Sequence, residues 1–247
     1  GMQILVAKSG KVIYHKSFGY MRYAKLTPIQ WFHRYDLASL TKILASVPLA
    51  MLEHERDSLF LLTPISKLLG GYEKSNKADM NFQALFSHHA GIQPWLPFYK
   101  KTLSKKTNRP QKKLYRAKQK RKHTVQVSED LFLRTKYLDQ IKDEILDSPL
   151  LDSLYYKYSD LPFYIFKEYV ESRYNQRMDQ LVEDEFYAPL GAYHLGYLPL
   201  QEVDINQVAP SEIDNYYRNS EVQGFVHDMG AAMQNGVGGH AASPHHA

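Results

Sequence analysis

The sequence predicts an α+β fold, and three observations carry that expectation. The first residues alternate in β fashion, ILVA and KVIYH, around a Ser9-Gly10 pair that reads as a hairpin turn. A long apolar run from Leu37 to Glu55 (LASLTKILASVPLAMLEHE) reads as a mostly buried helix, with a kink expected at Pro48 because proline lacks the N–H that would continue the ladder. Helical stretches then recur before and after a Tyr158-Ser159-Asp160 loop.

Taken in order, the hairpin spans residues 3–20 and the apolar helix 38–55, followed by a short helical turn near 64–69 and a helix at 79–88. Residues 93–147 read as an insertion containing a helix over 128–146 (SEDLFLRTKYLDQIKDEIL), where Ser128 is placed to cap it. The Tyr158 loop leads into helices at 161–173 and 177–187. Beyond Pro189 the Gly-, Pro- and Asn-rich chain has little regular periodicity.

At 247 residues the chain is long enough to bury a substantial core as one large domain or two lobes. No apolar run reaches the length of about 18 residues that a membrane-crossing helix needs. The absence of cysteine fits an oxidising compartment, though it fits much else. The net charge of +5 conceals a division: residues 100–123 (KKTLSKKTNRPQKKLYRAKQKRKH) hold twelve of the 31 Lys and Arg and none of the 26 acids, leaving the rest of the chain near −7. Self-repulsion and low hydrophobicity make this basic segment a solvated insertion or a mobile loop. Nucleic acid is a poor partner for it, because Tyr115 is its one aromatic and the acidic remainder repels a polyanion. Anionic cell-wall polymers or lipid headgroups suit Lys100–Lys122 better.

Ser39-Leu40-Thr41-Lys42 is the one Ser-x-x-Lys in the chain. Three residues are nearly one helical turn, so Ser39 Oγ and Lys42 Nζ can meet on one face. A serine hydroxyl is inert near neutral pH without a base, and a lysine serves as one only where its surroundings disfavour the ammonium. The helix N-terminus favours anionic oxygen at the serine. The structural alternative makes Ser39 an N-cap and Lys42 a solvated charge. Histidines at 88, 89, 227, 240, 245 and 246 show no closed metal-binding spacing, so neither a metal nor another cofactor is expected.

Five segments together resemble the serine β-lactamase and penicillin-binding protein superfamily in its class C and esterase-like branch. They are ILVAKSGKVIYHKSFGY (Ile4 to Tyr20), YDLASLTKILA (Tyr35 to Ala45), FQALFSHHAGI (Phe82 to Ile92), FYAPLGA (Phe186 to Ala192) and VHDMGAAMQNGVGGHA (Val226 to Ala241). The last is similar to a stretch in members fused to cell-wall-recycling glycosidases. The resemblance implies a helical lobe packed on an antiparallel sheet, with the cleft between them. It makes Ser39 the acylated nucleophile, Lys42 the base that takes its proton, and Tyr158 the relay to the leaving group. Asp160 stands in the substrate-binding position where an asparagine is usual, replacing a group that donates and accepts with one that only accepts when ionised. His88 and His227 are implied to stabilise loops, and Trp95–Tyr99 to line a cleft wall or cover core.

The superfamily's third signature, Lys or His followed by Thr or Ser and Gly, has no match after Asp160. Lys8-Ser9-Gly10 falls in the hairpin turn, and His240-Ala241-Ala242 is a poor match. The resemblance therefore implies a single domain over 1–247, incomplete at both ends, whose unfinished sheet edges would pair in an oligomer or a swapped dimer. One oxyanion donor would be missing, a loss that typically costs about 10²–10³ in rate. The implied function is hydrolysis of an amide or ester bond in a β-lactam, a D-amino-acid cell-wall peptide or a small ester, in a bacterial periplasm or envelope. The alternative is a non-catalytic module that binds peptidoglycan or supports an adjoining glycosidase domain.

Overall fold

The computed structural model describes residues 1–152 and 155–239. Strands β1 (Met2–Lys8) and β2 (Lys11–Phe18) form the expected antiparallel hairpin. Ser9 and Gly10 both adopt the left-handed backbone a two-residue turn demands, with φ of 51° and 75°. Lys8-Ser9-Gly10 is thus a turn. Apolar side chains on both faces of the hairpin, including Leu5, Val12 and Ile13, are exposed.

The apolar helix runs from Leu40 to Arg56 in two parts, a π-helical turn at Lys42–Ser46 and helix α1 (Val47–Arg56). Pro48 accounts for the irregularity, since in regular α register its missing N–H would have bonded Leu44 O. The Tyr187 hydroxyl donates to that carbonyl instead, at 3.1 Å. Ala45, Leu49 and Ala50 face the core, whereas Leu40, Ile43, Val47 and Met51 form an exposed apolar stripe. Helices α2 (Ile65–Leu68) and α3 (Phe82–Phe86) lie where the sequence places them, the second capped by Asn81, whose side chain accepts from Ala84 N–H.

Residues 93–147 differ from expectation. They contain a three-stranded antiparallel sheet of β3 (Tyr115–Arg116), β4 (Val125–Ser128) and β5 (Leu131–Leu133), ordered β3-β5-β4. Ser128 ends a strand and caps no helix, and helix α4 spans Tyr137–Asp147 alone. Two-residue alternation wins here: Val125 and Val127 are fully buried while Gln126 between them is exposed. The twelve Lys and Arg of 100–123 are exposed, as a solvated segment should be, but the backbone beneath them is folded onto buried Thr102, Leu103 and Tyr115.

Helix α5 (Leu161–Tyr174) is the centre of the core, buried on nearly every side. Its Phe166 and Tyr169 pack with Phe82 at ring separations of 5.4 and 5.5 Å, and burial of each such ring is worth about 1.5–3 kcal/mol. Buried Glu53 joins α1 to α5, accepting from Tyr169 OH at 2.5 Å and from Tyr174 OH, with Arg173 Nε at 3.3 Å. Helix α6 (Met178–Val182) continues into a π turn over Glu183–Tyr187. After Pro189 the structure is carried by turns and the short elements β6 (Glu212–Asp214), β7 (Ser220–Val222) and α7 (Met229–Ala232). Asp214 substitutes for periodicity there: its carboxylate accepts the backbone N–H groups of Tyr216, Tyr217 and Arg218. Among the described residues no helix is long and apolar enough to cross a membrane.

Candidate active site

Ser39 sits one residue before the helix that carries Lys42, and the backbone enters it through Ala38 in a left-handed conformation, φ 49°. That geometry is costly for a residue with a side chain. Asp36 holds it by accepting the Ala38 N–H at 2.7 Å in an Asx turn. Lys42 lies one turn on, 5% exposed, at the start of the π segment, a distortion that often marks functional positions.

Tyr158 and Asp160 arrive from the far side, 119 and 118 residues away from their partners. Their loop is tied at several points. The Lys157 N–H donates to His88 O (2.9 Å), Ser159 Oγ donates to Gln93 O (2.6 Å), and the Asp160 N–H donates to Pro94 O (3.0 Å). Ser159 N–H also donates to His88 Nδ1 at 3.3 Å, and the His88 ring lies 4.6 Å from that of Tyr158. Burial, reinforced by the positive charge of Lys42 and opposed by Asp160, pushes the His88 imidazole below its ordinary pKa, which suits a neutral ring whose Nδ1 accepts. His88 thus has the loop-holding role the resemblance implies.

The four residues singled out in the sequence meet here. Ser39 Oγ accepts from Lys42 Nζ at 2.9 Å and from Tyr158 OH at 2.8 Å. Lys42 Nζ donates to Asp160 Oδ1 at 2.7 Å and more weakly to Gly239 O at 3.4 Å. The ammonium also lies 5.2 Å from the Tyr158 ring centre and 5.0 Å from that of Phe163. Ser39 is half-buried and Tyr158 exposed, so the hydroxyl pair faces a route to solvent while Lys42 is enclosed behind it. A serine oxygen flanked by an amine and a phenol is chemically equipped for acyl transfer: one group to receive its proton, another to deliver one.

Sequence reasoning missed Gly239 and Asp36, and gave His227 a loop-stabilising role without its partner. Gly239 closes the site over Lys42, and a Cβ there would stand 2.8 Å from Phe163 Cβ and 3.2 Å from Lys42 Cε, so only glycine fits without movement. Asp36 and His227 form the second addition, with the Asp36 Oδ2 accepting both the backbone N–H and the Nδ1–H of His227 at 2.9 Å. Burial alone would raise the Asp36 pKa, but the His227 hydrogen bonds and charge, with the Ala38 N–H, outweigh it and hold the carboxyl below its ordinary value. The same hydrogen bond raises His227 against burial, helped by the charges of Asp36, Asp228 and Glu212. The readable signal was a carboxylate two residues before Ala38, the Asx-turn spacing.

Trp95–Tyr99 divides its work. Phe98 is buried against Tyr164, with ring centres 6.1 Å apart, while Trp95 is exposed next to Pro94, whose carbonyl holds Asp160. Among the described residues, no three His, Cys, Asp or Glu side chains converge on a metal-sized site. His240, Ala241, Ala242, His245 and His246 lie outside the described residues.

The Beta-lactamase family profile matches residues 1–241. No curated protein matches the chain in sequence. The fold is similar to that of FmtA from Staphylococcus aureus, with a TM-score of 0.63 and 15% identity over 98% of this chain and 58% of the other. It is similar to a class C beta lactamase from Rhodobacter sphaeroides (TM-score 0.62, 14% identity, 98% and 56% covered). The D-amino acid amidase from Ochrobactrum anthropi SV3 is comparable (TM-score 0.62, 14% identity, 98% and 61% covered). The chain therefore spans less than two thirds of the length of each of these structures. With a profile match over nearly its whole length, this chain belongs to the Beta-lactamase family.

Proposed function

We propose that this chain is a serine hydrolase that cleaves amide or ester bonds through an acyl-enzyme on Ser39. The observation that carries this reading is the double hydrogen bond at Ser39 Oγ, received from Lys42 Nζ and Tyr158 OH together. In the first step Oγ adds to the substrate carbonyl carbon as its proton passes to the lysine amine. Collapse of the tetrahedral adduct breaks the bond to the leaving nitrogen or oxygen, which takes a proton delivered through Tyr158. Water then attacks the acyl-serine, releasing the acid and restoring the hydroxyl. The similar structures include a beta lactamase and a D-amino acid amidase, so β-lactams and D-amino-acid amides are the first substrates to try.

Asp160 gives the second reading its basis. A carboxylate 2.7 Å from Nζ competes for the lysine with Ser39 Oγ, 2.9 Å from the same nitrogen, as suits a relative that keeps the fold to bind peptidoglycan without turning substrate over. Hydrolysis of D-phenylalanine amide and of a small nitrophenyl ester by the wild type, Ser39→Ala, Lys42→Ala and Tyr158→Phe separates the two. The hydrolase reading expects turnover that vanishes in Ser39→Ala and drops by orders of magnitude in Lys42→Ala. Turnover equal in Ser39→Ala would remove it, and peptidoglycan binding without turnover would select the second reading.

A further inference from the structure

The basic segment 100–123 takes no part in the chemistry at Ser39, yet its construction is specific. All twelve of its Lys and Arg side chains are exposed. The backbone beneath them is held by buried groups: Tyr115 OH donates to Thr102 Oγ1 at 2.9 Å and shares a 2.8 Å hydrogen bond with Tyr217 OH. Ser104 N–H donates to Arg109 O at 2.8 Å, Gln111 N–H to Thr102 O at 3.0 Å, and Tyr115–Arg116 pairs with β5. Among the described residues, Lys101 is the one member of the twelve with a carboxylate inside 4.0 Å, Glu144 at 3.2 Å. The fold therefore fixes a dense, uncompensated positive field beside a body of opposite sign.

The chemistry of the surface narrows its partner. No large apolar side chain between residues 96 and 149 is exposed, so the segment offers nothing to insert into a bilayer. Its one aromatic, Tyr115, is buried and committed to Thr102 and Tyr217, which leaves no platform for stacking bases. The charges are spread over successive turns and lie along no single helix or strand, a distribution that a bending chain can follow. We infer that residues 100–122 form a docking surface for a flexible, soluble polyanion with repeated phosphate groups. The segment begins shortly after Pro94, whose carbonyl accepts the Asp160 N–H. This surface stands whatever Ser39 does chemically.

Long-chain inorganic polyphosphate, titrated into the full chain, tests it by direct binding, with no acylation in the readout. Neutralising about six phosphates should weaken binding roughly a few hundredfold between about 50 and 200 mM salt, from the slope for single-stranded polyanions. The variant Lys105→Glu, Lys106→Glu, Lys112→Glu, Lys113→Glu should lose binding with an unchanged circular dichroism spectrum, because all four side chains are exposed. Lys8→Glu with Lys11→Glu and Lys16→Glu, a charge reversal on the hairpin, should bind as the wild type does. The inference is overturned by absence of polyphosphate binding at the lower salt, or by undiminished binding in the quadruple variant. Tighter binding to anionic phospholipid vesicles or to duplex DNA than to polyphosphate overturns it as well.

Discussion

Asp36 and His227 are 191 positions apart, and one carboxylate joins them at the entrance to the Ser39 turn. Its Oδ1 fixes Ala38 in the left-handed region while its Oδ2 takes both donors of His227. The pair couples the strained backbone before Ser39 to the segment whose Gly239 packs against Lys42. Its state depends on pH through both partners. His227 has a raised folded pKa, so its contribution to stability is complete below the unfolded value and is lost as pH rises through the folded one. Asp36 is lowered, so its contribution is present above its unfolded value and is lost as pH falls through the folded one.

The first prediction follows from that window. The melting temperature of the wild type should exceed that of His227→Gln by most near pH 6, and the gap should narrow as the solution is taken to pH 9. Labelling of Ser39 should slow in the same variant at pH 6, because the Ala38 turn is less firmly held. A gap independent of pH over this range would show that the pair is not the ionised link described here.

Asp160 invites a conservative exchange. Asparagine keeps an oxygen that accepts from Lys42 Nζ and adds an N–H₂ donor, whereas the carboxylate only accepts. Asp160→Asn should therefore retain acylation of Ser39 and gain severalfold in kcat/KM toward amides, whose carbonyl can take the new hydrogen bond. Asp160→Ala should fall below both. Steady-state kinetics on D-phenylalanine amide distinguishes the three, and equal loss in the asparagine and alanine variants would count against the assignment.

Gly239→Ala tests closure of the site. The new Cβ meets Phe163 at a distance too short to accept and crowds Lys42 Cε, so the segment withdraws and gives up the hydrogen bond from Nζ to Gly239 O. Acylation should drop at least tenfold, with a loss of stability of about 1–3 kcal/mol, as for other overpacked sites. Unaltered acylation would show that residues 238–239 need not approach Lys42.

Tyr187 and Pro48 should be coupled through Leu44 O. Tyr187→Phe removes the donor that replaces the missing proline N–H, at a cost of about 0.5–1.5 kcal/mol. In a Pro48→Ala background, where a backbone N–H is again available to Leu44 O, that cost should shrink. A double-mutant cycle in urea measures the difference directly.

Much of this architecture is local and was legible for that reason. Two left-handed residues make the hairpin at Ser9-Gly10, and three-residue spacing in a helix brings Lys42 to Ser39; both follow from short-range geometry. The Tyr158-Ser159-Asp160 loop was readable through resemblance, and its arrival at Ser39 is where the structure adds the distances. What escaped the sequence depends on contacts far apart in the chain. The closeness of Gly239 to Phe163 and the link from Asp36 to His227 exist only after folding. The helix expected from residue 128 failed for a different reason. Val125 and Val127 bury on alternate positions against the core, and the strand runs on through Ser128, itself buried after a register shift, before the helix begins at Tyr137.

The central claim is that Ser39 becomes covalently acylated. Incubation with a reactive penicillin, followed by intact-mass measurement and peptide mapping of the wild type beside Ser39→Ala, tests it most directly. The account predicts one adduct of the penicillin's mass on the peptide containing Ser39, or loss of the penicillin by turnover in the same tube, with neither in Ser39→Ala. An adduct that persists in Ser39→Ala, or an unmodified wild type beside intact penicillin, would contradict it.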